Sequence, residues 1–349
     1  METFWYTAVT LMLAMYVVLD GFDFGVGIVY PFVARTETDR RTALGAIGPV
    51  WNGNEVWLIA AGGLLFFAFP KAYAAGFSGF YLALIIVLWL LIARGLAIEL
   101  RSHIDHELWR QFWDFVFAVA STLLAMVFGA ALGNLIRGVP LNQDGYFFVA
   151  LWTNFLTGPE PGILDWFTVL MGITSASILA LHGANYLAMK TEGPVQARAR
   201  TIVRLAGFTT AGLVVLVLAA VPFVQPSFGR NYGTHPIGAV LPLLGMGSLV
   251  ATIVLQRRRH DAYAFYASCF LILALLASTA YGSYPNILIA TTDPSHSLTV
   301  VNATAGVYGM HIGLWWFLLG FMLVIAYQVY AHYLFSGKVP QQNLTNGRR

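Results

Sequence analysis

The stretch Asp20-Gly21-Phe22-Asp23-Phe24-Gly25-Val26-Gly27 lies inside an apolar run that begins near Phe4 and continues to about Val33. A membrane-crossing helix needs about 20 apolar residues, so the run is long enough to span a bilayer. A charge at the middle of such a helix costs on the order of 3 kcal/mol even on insertion-based scales. Asp20 and Asp23 must therefore face protein or water, because lipid would reject them. Their spacing of three places both on one helical face. Gly21, Gly25 and Gly27 allow a second helix to approach that face closely. Two readings fit this pattern: acids neutralised by burial or by an arginine and serving packing alone, or acids that carry protons.

The rest of the chain agrees with a membrane setting. Of 349 residues 58% are hydrophobic and only 10% charged, whereas a soluble domain carries about 25% charge. Cys269, the single cysteine, falls in an apolar run, which excludes a disulfide framework and a thiolate metal cluster. The N-terminus has no basic leader, so the first run reads as a retained span and not as a cleaved signal. Nine spans are expected, near 4–33, 53–69, 76–98, 113–136, 162–189, 201–224, 236–255, 262–284 and 307–334. All read as helices, since alternating strand patterns are missing and open backbone is forbidden in lipid.

Lysines and arginines partition sharply between the two sets of connections. Lys71, Arg137 and Arg230 fall on the N-terminal side, and the other sixteen of the 19 on the opposite side. This asymmetry implies an N-out, C-in orientation. The longest external connection, rich in Gly, Pro, Asn and Asp, divides four helices from five. The expected organisation is a first four-helix bundle over 1–136, a periplasmic connection over 137–160, and a second four-helix bundle over 161–284. A ninth, peripheral helix over 306–335 and a cytoplasmic tail over 336–349 complete it. Leu19-Asp20-Gly21 and Leu181-His182-Gly183 form a faint echo at similar depths, of the kind chance also produces.

Orientation gives each acid a depth, and carboxylates gather in the inner half. Asp20 and Asp23 lie in helix one; Asn52 and Glu55, again three apart, open helix two; Arg94 and Glu99 end helix three; Asp114 opens helix four. A proton path requires such titratable groups close enough to relay through water. In this reading Asp23 is the inner relay, Asp20 its neighbour, Asn52 with Glu55 the link towards the cytoplasm, and Arg94 the counter-ion. For Asn52, Glu55 and Asp114 the plainer alternative is chemistry at helix N-termini. His182 and His311 lie within spans, where a buried imidazole is more often a hydrogen-bonded core group than a haem ligand. His103, His106, His235, His260 and His296 sit in loops or at span ends without metal spacing. Phosphate-binding, zinc-protease and nucleophile-elbow motifs do not occur. Asn302-Ala303-Thr304 and Asn343-Leu344-Thr345 match the weak glycosylation pattern. Aromatic residues make up 15% of the chain, many near span ends as interface belts have them.

Several of these segments, taken in order, resemble the hallmark stretches of subunit II of cytochrome bd-type quinol oxidases, including the cyanide-insensitive branch. They are Gly21 to Gly27, Pro49-Val50-Trp51-Asn52-Gly53-Asn54-Glu55-Val56-Trp57-Leu58, Ala74 to Tyr81, Arg94 with Glu99 to Ser102, Trp113-Asp114, Gly133-Asn134-Leu135 with Gly138-Val139-Pro140, and Ser297 to Ala303. The resemblance is dense over the first 140 residues and thinner beyond. It implies a haem-free subunit of a bacterial inner-membrane oxidase that takes electrons from quinol and reduces O₂ to water. Haem b and haem d, or a further haem b, are held by a partner, subunit I. A structural quinone occurs in some members, and a small accessory subunit would fit the family. No nucleic acid is implied. Carried over residue by residue, Asp20, Asp23 and Asp114 would take part in a proton route, and Trp57 matches a tryptophan near the family's proposed oxygen path. One departure stands out: many relatives have Asp at position 52 and Gln at position 55, where this chain has Asn52 and Glu55. An amide cannot release a proton, so Glu55 is expected to have taken over the acid role. A proton-coupled transporter and a purely structural scaffold subunit are the competing functional readings.

Overall fold

The computed structural model describes residues 1–339. Asn343, Arg348 and Arg349, with most of the expected tail, lie outside the described residues. Among the described residues twelve α-helices run in chain order: α1 Glu2–Val33, α2 Glu37–Ile47, α3 Trp51–Ala68, α4 Pro70–Gly79, α5 Tyr81–Leu100, α6 Glu107–Arg137, α7 Trp166–Lys190, α8 Gly193–Val224, α9 Arg230–Thr234, α10 Val240–Arg257, α11 Asp261–Ser283 and α12 Val307–Leu334. Among the described residues eight helical segments are long and apolar enough to cross a membrane: α1, α5, α6, α7, α8, α11, α12 and Pro236–Arg257, which contains α10. The chain is thus an all-α polytopic membrane protein. Helix α3 is not among the eight, because its 18 residues open on Asn52, Gly53, Asn54 and Glu55.

The expected spans and the helices differ in instructive ways. The span expected at 76–98 is built from the end of α4 and all of α5, with Phe80 between them. Pro70, lacking a backbone N–H, starts α4 where it costs no helical bond. The connection after α1 contains the short helix α2, begun by a capping box. The Thr36 side chain accepts from the Asp39 N–H at 3.2 Å, and Asp39 Oδ2 accepts from the Thr36 N–H at 3.1 Å. Arg198 of α8 then donates to Asp39 Oδ2 at 2.7 Å and to the Val33 carbonyl at 2.9 Å. The start of α8, the end of α1 and α2 therefore share one end of the bundle.

Helices α1 and α7 form the centre. Every residue from Val18 to Gly27 and from Leu181 to Ala188 is buried, as expected of helices surrounded by others. They cross at Gly25 and Gly183. A β-carbon on Gly25 would overlap the Leu179 carbonyl, and one on Gly183 would overlap the Gly25 backbone. Only glycine permits this approach. At the other end of the bundle Arg137 clamps the long connection: it pairs with Asp165, and donates to Asn134 Oδ1 at 2.6 Å and to the Gly162 carbonyl at 3.1 Å. Asp165 also caps α7 through the Phe167 and Thr168 N–H groups. A two-stranded antiparallel ribbon, Asn286–Leu288 with Leu298–Thr299, lies between α11 and α12. Helix α12 rests on α1 and α3 through Phe317 against Trp5 and Phe321 against Trp57.

Candidate functional site

Two groups of charged side chains lie along α1. The inner one holds Asp20, Asp23 and Arg94, all fully buried. Arg94, from α5, grips Asp20 with both guanidinium nitrogens: Nη1 donates to Oδ1 at 2.7 Å and Nη2 to Oδ2 at 3.2 Å. This fork is the strong form of the pair. The guanidinium also lies over the Phe24 ring, 4.4 Å from its centroid. Arg94 Nη2 stands 3.6 Å from Glu55 Oε1, whose side chain is 25% exposed while its two partners are sealed.

Asp23 points to another helix. Asn54 Nδ2 donates to Asp23 Oδ2 at 2.9 Å, and Gln328 Nε2 of α12 donates to Asn54 Oδ1 at 3.1 Å. Asp23 Oδ1, Arg94 Nε and the Tyr16 hydroxyl are buried with no hydrogen-bond partner among the described residues. One guanidinium thus touches two of the three carboxyls, Asp20 and Glu55, in an apolar surround. Such a group has the capacity to hold a proton, and the open Oδ1 of Asp23 is an atom that can receive it.

The outer group surrounds Asp114. Arg101 Nε donates to Asp114 Oδ1 at 2.6 Å, Tyr30 Oη donates to the same oxygen at 2.6 Å, and Arg40 Nη1 lies 3.1 Å from Asp114 Oδ2. Arg101 reaches on to Glu37 of α2 at 2.8 and 3.1 Å, and Arg41 donates to Glu37 Oε1 at 2.9 Å. Tyr30 lies seven residues beyond Asp23 on α1, so the two groups are separated by roughly 10 Å along the helix axis. The structure therefore does not bring Asp114 to the two buried aspartates. Glu37 is raised by partial burial, but the hydrogen bonds from Arg101 and Arg41 outweigh that and hold it down at about 2. A carboxylate whose folded value is depressed stabilises the fold above its ordinary value, and the stability is lost as pH falls. The docking of α2 onto α5 should thus weaken between an ordinary value of 4.5 and about 2. Because Glu37 is partly exposed and screened, the expected loss is about 1 kcal/mol. Thermal unfolding of the solubilised protein across that range checks this, and Glu37→Gln should flatten the dependence.

The remaining residues singled out in the sequence fall elsewhere. Asn52 is exposed, and Asn54, two positions on, is the buried amide that bonds Asp23; the place beside the acids expected of Asn52 is thus taken by Asn54. Glu99 is exposed, with no side-chain hydrogen bond among the described residues. Trp57 is buried between α3 and α12, its ring edge-on to Phe321. His182 is fully buried, Nε2 donating to the Val18 carbonyl at 2.9 Å and Nδ1 sharing a bond of 2.7 Å with Ser268 Oγ. Both ring nitrogens are engaged, and an iron ligand needs one free. His311 is exposed on α12. Among the described residues no three His, Cys, Asp or Glu side chains are grouped to hold a metal. Asn54, Gln328, Tyr30 and Glu37 had no role in the sequence reading. Asn54 is within the quoted motif, but which face of α3 meets α1 is not marked by hydropathy, since Asn52 and Asn54 put an amide on each side of its first turn and the rest of the helix is apolar.

A family model described as cytochrome bd terminal oxidase subunit II matches residues 1–335. The chain belongs to that family. It is 31% identical to cytochrome bd-I ubiquinol oxidase subunit 2 of Escherichia coli (strain K12), covering 97% of this chain and 95% of that one. Cytochrome bd ubiquinol oxidase subunit 2 of Bacillus subtilis (strain 168) is 29% identical, with 96% of each chain covered. The solved bd oxidase from Geobacillus thermodenitrificans superposes with a TM-score of 0.75 at 20% identity, over 96% of this chain and 98% of that chain, which shows a shared fold. As a bd oxidase subunit II, the chain is part of a respiratory membrane complex with a subunit I partner, and its relatives are bacterial.

Proposed function

We propose that this chain is the haem-free subunit II of a bd-type terminal oxidase that oxidises quinol and reduces O₂ to water, and that it supplies the complex with a proton-uptake path. The observation that carries the reading is Asp23: fully buried, held by Asn54 through one carboxylate oxygen and open at the other, beside an Asp20–Arg94 pair that reaches the partly exposed Glu55. Glu55 takes protons at the accessible edge. Asp23 Oδ1 holds them in the interior. Arg94 neutralises Asp20 and orients the group without itself releasing a proton. Asp114 with Tyr30 and Arg101 forms a separate charged mouth nearer the end of α1. Trp57, packed under α12, would border an apolar route for O₂.

The haems, b with d or a further b, are assigned to the partner subunit, where they supply electron transfer and oxygen reduction. His182 offers no free nitrogen for that purpose in this chain. The reading includes α3 as a ninth span, an N-out and C-in orientation in the bacterial inner membrane, and two four-helix groups over 1–136 and 161–284 with α12 beside them. The lysine and arginine asymmetry supports this arrangement. The test is affinity purification of the tagged chain from its own membranes. Expected is co-purification of a second polypeptide with haem absorption and quinol-driven oxygen consumption. A colourless preparation that moves a solute across vesicles would instead support a proton-coupled transporter.

A further inference from the structure

Between the first turns of α8 and the last turns of α10 lies a cleft of about 280 Å³, bordered by Arg200, Arg204, Gln256, Arg257 and Arg259. Its charge is mostly uncompensated. Arg200 is committed to Asp261, with contacts of 3.0 and 2.5 Å, but Arg204, Arg257 and Arg259 have no carboxylate partner among the described residues and are exposed. The Arg257 guanidinium stacks over Phe208 of α8, 5.7 Å from the ring centroid, which fixes it at the rim.

Gln256 gives an independent indication of a ligand. It lines the cleft with 7% exposure, yet neither its Nε2 nor its Oε1 has a hydrogen-bond partner among the described residues. A buried amide without partners is penalised, and natural folds seldom leave one. An amide offers one donor group and one acceptor, which suits a phosphate oxygen beside a hydroxyl.

The surroundings point to where such a molecule comes from. Val250, Val254 and Arg257 follow the i, i+4, i+7 stripe of α10, and Leu205 and Phe208 lie on α8 opposite. These four apolar residues are 57, 40, 66 and 56% exposed in the order Val250, Val254, Leu205, Phe208. Three free arginines thus close one end of an exposed apolar track on membrane-crossing helices, which is the pattern of a bound interfacial phospholipid. The end concerned is the one shared with α2, where Arg198 meets Asp39.

We propose that this cleft is a phosphate-binding site occupied by the headgroup of an anionic phospholipid of the phosphatidylglycerol type. Arg204, Arg257 and Arg259 bind the phosphate, Gln256 donates to a phosphate oxygen and accepts from a headgroup hydroxyl, and an acyl chain lies along Val250, Val254, Leu205 and Phe208. None of the residues bordering the cleft touches Asp20, Asp23 or Glu55 among the described contacts, and the site does not depend on their proposed role.

The test uses the intact complex in detergent, with lipid retention read by native mass spectrometry and co-purified subunit I confirming assembly. Phosphatidylglycerol is expected to be retained and phosphatidylcholine not. The double variant Arg204→Gln, Arg257→Gln should weaken retention about twenty-five-fold, taking about 1 kcal/mol, or fivefold, per arginine. Gln256→Leu should weaken it while leaving the lipid-free complex as stable or more so, since it removes the unpartnered amide. Equal retention in all variants, or equal retention of both lipids, would overturn the site. If inorganic phosphate displaces phosphatidylglycerol and protects the complex equally well, the lipid assignment fails in favour of a free anion.

Discussion

Replacing Asp23 by asparagine in the intact complex will cut quinol-driven oxygen consumption about a hundredfold, the scale on which a positioned proton-transfer group contributes, while the complex still assembles. The substitution keeps the side-chain volume, and its carbonyl can still accept from Asn54 Nδ2, which now bonds Asp23 Oδ2 at 2.9 Å. What is lost is the ability to take up and release a proton at a site sealed from solvent. The measurement pairs oxygen consumption with proton uptake by vesicles, and scores assembly by co-purification. Unimpaired turnover would reduce the buried group to packing and favour the scaffold reading. Glu55→Gln should slow proton uptake as well, since Glu55 is the acid of this group with an exposed edge.

The second large effect concerns Arg94. Arg94→Met leaves Asp20 without its cation in the interior, and breaking a buried pair on one side costs about 3–5 kcal/mol. That is a large fraction of the stability of a typical domain, so little assembled complex is expected in the membrane. The double variant Arg94→Met, Asp20→Asn removes both charges, and neutral replacements of a buried pair are often tolerated. Assembly should therefore return towards the wild-type level, as read by yield and thermal midpoint. Arg94→Lys should fall between, because an ammonium cannot reproduce the forked contacts at 2.7 and 3.2 Å or the face contact with Phe24. If the double variant is as poorly assembled as Arg94→Met, the arginine supports the fold through something other than Asp20.

Much of this arrangement is legible in the sequence itself. The energetic cost of a carboxylate in hydrocarbon required Asp20 and Asp23 to face inwards, and both are fully buried. Arg94 is marked by being an arginine near the end of an apolar run, and it makes the forked contact with Asp20. By contrast, Asn52 and Asn54 differ by two residues and end on different sides of α3. Helix α2 was also missed, because a sequence of 11 residues with so many charges reads as a polar loop until Arg198 and Arg101 dock against it.

Sequence alone therefore determined the solvent of this protein, its helical character and the residues that lipid would not tolerate, because transfer costs attach to each side chain wherever the chain goes. It also carried enough ordered motifs to indicate the family. Tertiary structure decided the azimuth of each helix, and with it which amide meets Asp23, which acid keeps an exposed edge and which basic cleft keeps an unpaired glutamine. On a helix that is apolar all round, hydropathy has no preferred face. Only close contacts such as the crossing of Gly25 with Gly183 set the rotation from which those neighbours follow.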